Sequence, residues 1–190
     1  MKLGEVYRKL VEDDFRMLLF FVRSLKQYEY IPLEYVVKKF NKWPQKDVVA
    51  RVRKLSKLKS LDRHPTLDSY RLTFLGLNCA ALHKLVKANI LSAIGDIIGE
   101  GKESEIYRAL DTNNNLVAVK FFKIGRRSFV HASRLRDYGV SFEKSTWLVR
   151  SIISGARERE ALRILNSSGV TGIPRLIGGA LNAVVIEYIE

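Results

Sequence analysis

Cysteine is all but missing. Cys79 stands alone in 190 residues, so an intrachain disulfide is excluded and a reducing compartment, the cytoplasm, is the expected location. Histidine is scarce too: His64, His83 and His131 are scattered, without cysteines or carboxylates at ligand spacing, which argues against a structural zinc site. The longest wholly apolar run, residues 17–22, is far shorter than the roughly 20 residues of a spanning helix. No charged-then-apolar leader opens the chain, so a soluble protein without membrane attachment is expected, and 47% apolar residues suffice for real cores. Acidic residues are also in deficit, 20 against 33 basic ones, for a net charge of +13. The deficit is uneven: residues 1–90 hold 19 basic and 9 acidic side chains, residues 91–190 hold 14 and 11. Two halves of different electrostatics predict two domains, and a basic first half predicts a polyanionic partner, most commonly nucleic acid.

In the first half, Phe15, Leu18, Leu19, Val22 and Leu25 recur at helical spacing with Arg16, Arg23 and Lys26 opposite. Pro32 can open a short helix with Leu33, Val36, Val37 and Phe40 facing inward; Pro44 can open a third through Val48, Val49, Val52 and Leu55. Helix, short helix, turn and basic helix is helix-turn-helix grammar. The third helix is expected to expose Lys46, Arg51, Arg53, Lys54 and Lys57, the cations that a groove-entering or phosphate-tracking element needs. Residues 58–73 read as a two-stranded ribbon turning at His64-Pro65-Thr66, which completes a winged helix, and a helix over 74–89 closes the domain. The competing reading is a protein-docking or purely structural role.

The second half is organised around residues 98–120. Ile98-Gly99-Glu100-Gly101-Lys102-Glu103-Ser104 leads into β-formers, an Asp111-Thr112-Asn113-Asn114-Asn115 turn, and Leu116-Val117-Ala118-Val119-Lys120. This predicts a hairpin whose first strand begins with a glycine loop. Alternation puts Ala118, Lys120 and Phe122 on one strand face. A glycine loop lets backbone N–H groups approach phosphates, and a strand lysine beneath it can neutralise them. Residues 123–145 are rich in Lys, Arg and Ser with little periodicity, and are expected to be a flexible loop. From Trp147 a helical pattern runs to a stop at Gly169. Glu158, one turn before Leu162 and two before Leu165, points to the packed side and wants a cation, for which Lys120 is the candidate. A second hairpin ends in the nearly continuous apolar strand Val184-Val185-Ile186-Glu187-Tyr188-Ile189.

These motifs together resemble the Rio-type atypical serine/threonine protein kinases, specifically the second Rio subfamily. The glycine loop with Ser104 in place of a third glycine, Ala118-Val119-Lys120, Gly125-Arg126-Arg127-Ser128-Phe129, Arg136-Asp137-Tyr138, Ala156-Arg157-Glu158 and the hinge-like Val185-Ile186-Glu187-Tyr188-Ile189 carry the likeness across the whole chain. The resemblance implies an α+β fold: a winged helix-turn-helix domain over 1–90, then a protein-kinase-like small lobe over 91–190, an antiparallel sheet plus one helix. It implies ATP as cofactor, with Mg2+ or Mn2+ in the full-length enzyme, and ribosomal RNA or a pre-small-subunit particle as partner in small-subunit maturation. Ile98, Ile106, Ala118 and Pro174 would line an adenine pocket, and backbone groups of Glu187 and Ile189 would hydrogen-bond the base. Gly99, Glu100, Gly101, Lys102, Glu103 and Ser104 would meet the phosphates, Glu158 would position Lys120, and Ser128 would be an autophosphorylation site. The family's catalytic-loop and metal-binding aspartates would lie beyond Glu190, so the 190 residues alone are expected to be inactive. The alternative is a winged-helix DNA- or RNA-binding regulator whose second domain is a non-catalytic nucleotide-binding or structural unit.

Overall fold

The computed structural model describes residues 2–125 and 147–189; the expected loop beyond residue 125, with Ser128, lies outside them. The chain divides into two compact units, Met1–Ala80 and Ala81–Glu190. That division falls inside a helix, Phe74–Lys87, upstream of the residue-90 boundary expected from composition.

The first unit opens with α1 (Leu3–Tyr7), α2 (Glu12–Ser24), β1 (Ile31–Pro32), α3 (Leu33–Lys39) and α4 (Gln45–Lys57). The ribbon β2 (Leu61–Arg63) and β3 (Ser69–Leu72) follows, before α5 (Phe74–Lys87). The core is built by the apolar stripes of these helices: Met17, Leu18 and Phe21 of α2, Val36 of α3, and Val48, Val52 and Leu55 of α4 are essentially inaccessible. α3 seals less than its sequence suggests. Val36 is buried, while Leu33, Val37 and Phe40 keep part of their surface in solvent. The ribbon forms as expected, and β1 adds to it, giving an antiparallel sheet of order β1-β3-β2 with Ile31 opposite Tyr70 and Leu61 opposite Leu72. Thr73 starts α5 by accepting the Gly76 N–H on its hydroxyl at 3.0 Å.

The second unit is a five-stranded antiparallel sheet of order β4-β5-β6-β8-β7 with one long helix. Its strands are β4 (Ala93–Glu100), β5 (Ser104–Leu110), β6 (Leu116–Phe122), β7 (Leu176–Ala180) and β8 (Ala183–Glu187); the helix is α6 (Trp147–Ser167). The strand entering the glycine turn begins at Ala93, upstream of Ile98, and is bulged between Ile94 and Ile97 and again between Ile97 and Gly99. Register assigns the faces. Ile106 lies opposite Lys120, and Lys120 opposite Val184, so these three share one face with Ser104, Arg108, Ala118 and Phe122. α6 packs on that face, where Leu162 joins Phe122, Ile124 and Val184. On the other face Tyr107, Ala109, Val117, Val119, Phe121 and Val185 are buried.

Two devices dock α6 to the β7–β8 turn. Gly155 lets the backbones close: a Cβ there would sit 3.0 Å from the Leu181 oxygen and from the Asn182 carbonyl carbon. One turn on, Arg159 Nη1 donates to the carbonyls of Leu181 (3.0 Å) and Ala183 (2.8 Å); burial pulls this guanidinium below its ordinary pKa. The turn is also held from β6, since Asn182 Nδ2 donates to the Phe122 carbonyl and the Phe122 N–H to that of Asn182. Beyond α6, Gly169 adopts φ +71°, the left-handed stop expected from the sequence.

Candidate nucleotide-binding site

The β4–β5 turn is short and internally closed: Gly101 N–H donates to the Ser104 carbonyl at 2.9 Å. A Cβ at Gly99 or Gly101 would meet nothing nearer than 3.6 Å. Packing does not demand glycine at either position, and the backbone there is left open to close approach. Glu100 pairs across the strand with Glu105. Glu105 itself turns to the other face, is buried, accepts the Tyr107 hydroxyl at 3.1 Å and forms an ion pair with Lys123. It is not a carboxylate at the lip of the turn.

Beneath the turn, on the α6 side, Lys120 Nζ donates to both carboxylate oxygens of Glu158, at 2.8 and 3.0 Å. β6 presents the lysine by alternation, and α6 presents the glutamate one turn before buried Leu162. The lysine and glutamate side chains keep 25% and 27% of their surfaces exposed, so the pair is both fixed and reachable. Lys120 Nζ also lies 4.7 Å from the centroid of the Phe122 ring. Gly99 pairs with Ile106, and Ile106 with Lys120. Ala118 is opposite Ile186. Glycine turn, Ile106, Ala118 and Lys120 are therefore brought together by strand register, with Ile98 exposed in the bulge of β4.

At the far end of β8, Glu187 is held in place: its N–H donates to the Arg175 carbonyl at 3.0 Å, and its Oε1 accepts the Arg175 N–H at 2.8 Å. Pro174, next in line, offers its carbonyl to Asn166 Nδ2 at 3.2 Å, while Asn166 Oδ1 accepts the Leu176 N–H. Ile189 is largely exposed. Sequence reasoning overlooked Arg108, which shares the Ala118 face and reaches Tyr188, Nη2 to Oη 3.4 Å, with its guanidinium 5.6 Å from the ring centroid. Period-two spacing from Ile106 was the available signal. Among the described residues no three His, Cys, Asp or Glu side chains cluster to hold a metal, and no helix is long and apolar enough to cross a membrane.

In the first unit, Lys46, Arg53 and Lys57 are exposed on α4 as expected. Arg51 and Lys54 are not free cations. Arg51 bonds Asp14 at 3.1 Å and Asp13 at 2.9 Å, and Lys54 bonds Asp14. Asp14 is fully buried and also accepts the Val11 N–H at the start of α2. A buried carboxylate needs such partners, and it takes two of the five cations that the sequence assigns to nucleic acid.

Two family models match the chain, the RIO domain over residues 105–190 and the Rio2 N-terminal domain over residues 7–88. The chain belongs to the Rio2 family. Similar Rio2 proteins include the serine/threonine-protein kinase RIO2 of Saccharomyces cerevisiae, 30% identical over 96% of this chain and 44% of its own length. The RIO-type serine/threonine-protein kinase Rio2 of Methanocaldococcus jannaschii is 33% identical over 74% of this chain and 51% of its own. The chain thus spans about half, or less, of the curated relatives it matches. Among solved structures, the Rio2 kinase–ADP/Mg2+–phosphoaspartate complex from Chaetomium thermophilum matches with TM-score 0.81 and 25% identity, over 98% of this chain and 55% of that one. A winged helix followed by the small lobe of a RIO kinase fold is the architecture of this Rio2 chain.

Proposed function

We propose that this chain forms the winged-helix and ATP-binding part of a Rio2-type ATP-dependent serine/threonine protein kinase that acts, in the cytoplasm, on maturation of the small ribosomal subunit. The observation that carries the proposal is the Lys120–Glu158 pair beneath the glycine turn. Lys120 would neutralise the phosphates, Glu158 holding its ammonium against the sheet, while the open backbone of Gly99 and Gly101 and the Ser104 hydroxyl meet phosphate oxygens. Lys102 would add charge at the tip, where Glu100 and Glu103 limit it. Ile98, Ile106, Ala118 and Pro174 would supply the apolar walls for adenine. Because the Glu187 N–H is already engaged, that residue would meet the base through its carbonyl, and Ile189 through its N–H.

Mg2+ or Mn2+ in the full-length enzyme would supply charge neutralisation for the phosphates that Lys120 and the glycine turn orient. The described residues would bind and orient phosphates, and among them no three His, Cys, Asp or Glu side chains cluster to hold a metal. The 190 residues alone are expected to bind ATP weakly and release no γ-phosphate. On the winged helix, Lys46, Arg53 and Lys57 would contact phosphates of structured RNA, with ribosomal RNA or a pre-small-subunit particle as the partner. That contact should weaken steeply with salt.

Titration of a fluorescent ATP analogue into the chain and its Lys120→Met variant tests the nucleotide site. Loss of charge-assisted contacts to phosphate should cost roughly 1.5–3 kcal/mol, about tenfold or more in Kd. Unchanged affinity in a Lys120→Met chain of intact circular dichroism would refute the assignment and leave a winged-helix regulator with a structural second domain.

A further inference from the structure

The first unit carries a second feature that neither the nucleotide site nor the α4 cations use. Five aromatic rings form an unbroken row along α2, the segment that follows it, α3 and the turn into α4. Tyr28 lies 5.5 Å from Tyr35, Tyr35 6.4 Å from Phe20, Phe20 5.5 Å from Phe40, and Phe40 4.7 Å from Trp43, centroid to centroid. None belongs to the sealed core. Each retains part of its surface in solvent, whereas Met17, Leu18, Phe21 and Val36 beside them are inaccessible.

Charge accompanies the rings. From residue 35 to residue 46 the chain holds four lysines, Lys38, Lys39, Lys42 and Lys46, all exposed, and no carboxylate. Lys39 Nζ stands 5.4 Å from the Tyr35 centroid, and the Arg51 guanidinium 5.3 Å from that of Trp43. Arg51 is pinned by Asp13 and Asp14, so the aspartates that withdraw it from α4's exposed face also fix a planar cation against Trp43. Rigid, partly exposed rings interleaved with lysines match the chemistry of a strand with unpaired bases: rings stack on base faces and ammonium groups track the backbone. A duplex keeps its base faces covered and cannot use the rings.

We propose that this aromatic–lysine face binds single-stranded RNA, separately from any duplex contact through the exposed cations of α4. The inference rests on the reading of the winged helix as a nucleic-acid module but assigns it another surface and another form of the polymer.

The test uses the full chain with Trp147→Phe, which leaves Trp43 as its one tryptophan. Adding a 12-nucleotide oligoadenylate should quench Trp43 emission saturably. Tyr35→Leu and Phe40→Leu, which keep an apolar side chain, should each weaken binding about tenfold, within the range for loss of one base–aromatic stack. Arg53→Gln with Lys57→Gln should change oligoadenylate affinity by less than about threefold while weakening binding of an RNA duplex. Failure of the duplex arm alone would sink the α4 reading and support the aromatic face. Absence of quenching would overturn the inference. So would folded leucine variants that bind like the parent, or inorganic polyphosphate, which has charge but no bases, displacing the oligonucleotide as well as unlabelled oligoadenylate does.

Discussion

Replacing Gly155 by alanine sets two effects of opposite sign against each other, and the structure decides between them. In an unconstrained helix interior the change stabilises by about 1 kcal/mol, because alanine restricts the unfolded chain and favours the helix. Here the new methyl would lie 3.0 Å from the Leu181 oxygen and Asn182 carbonyl carbon and 3.1 Å from Asn182 Cα, so something must yield by a few tenths of an ångström. The neighbours are backbone atoms of a turn held by Arg159 from α6 and by two hydrogen bonds from Phe122, and Leu181 is already left-handed at φ +50°. The turn therefore resists and the helix is pushed outward. Overpacking of this kind costs about 1–3 kcal/mol, leaving a net destabilisation on the order of 1 kcal/mol. The same displacement moves Glu158, less than one turn away, off Lys120, so weaker nucleotide binding should accompany the lost stability. Urea unfolding followed by circular dichroism measures the first effect and ATP-analogue titration the second. A Gly155→Ala chain more stable than its parent would show that the close approach of α6 does not constrain the sheet.

Three further outcomes follow from buried or bonded groups. Asp14→Asn removes a fully buried charge from partly exposed Arg51 and Lys54 and should cost about 2 kcal/mol in urea unfolding; an unchanged midpoint would mean the pairs are idle. Burial pushes the Cys79 thiol from 9.0 up to about 12, so its contribution to stability is complete below pH 9 and is lost as pH climbs through 12, and a disulfide reagent at pH 8 should label it only on unfolding. Rapid labelling of the folded chain would contradict that burial. Hydrogen bonds from Asn115, side chain then backbone, and from Asn113 hold the Asp111 carboxyl below its usual 3.8, so its stabilisation is full above pH 3.8 and lost as pH falls through the lowered value. An Asp111→Ala chain should lose that acid limb, and an identical pH profile would refute the role.

Much of this fold was legible where one local pattern determines one element. The Asp111–Asn115 turn between apolar strands, the stop at Gly169 and the alternation that aims Lys120 all needed only near neighbours in sequence. The pairing with Glu158 was inferred from spacing to Leu162 and Leu165, yet only Leu162 is buried and Leu165 is exposed; one of the two supports held. What sequence could not supply were partners far apart in the chain. Arg51 and Lys54 read as exposed cations on a basic helix because the aspartates that claim them sit at the start of α2, where acids ordinarily serve the helix dipole. The early start of β4 was hidden by Gly95 and Asp96, poor strand formers that fall in the bulge between Ile94 and Ile97. β1 went unread because Ile31 and Pro32 form too short a segment to show alternation.

The two lysines at the end of β6 have a consequence for how the sheet assembles. Lys120 and Lys123 stand an odd number of positions apart and leave the strand on opposite sides, one to Glu158 and the other to Glu105. Sliding β6 by one residue against its neighbours would exchange the sides, carrying each ammonium away from its carboxylate and turning Val119 and Phe121 out of their apolar layer. Glu105 would be left buried without its cation, at a cost on the order of several kcal/mol, and Glu158 would lose its own at a part-exposed site for a smaller penalty. The pairs therefore act as a checksum on assembly: a misaligned β6 is penalised on both faces at once, and the alignment that escapes the penalty is the one that delivers Lys120 beneath the glycine turn.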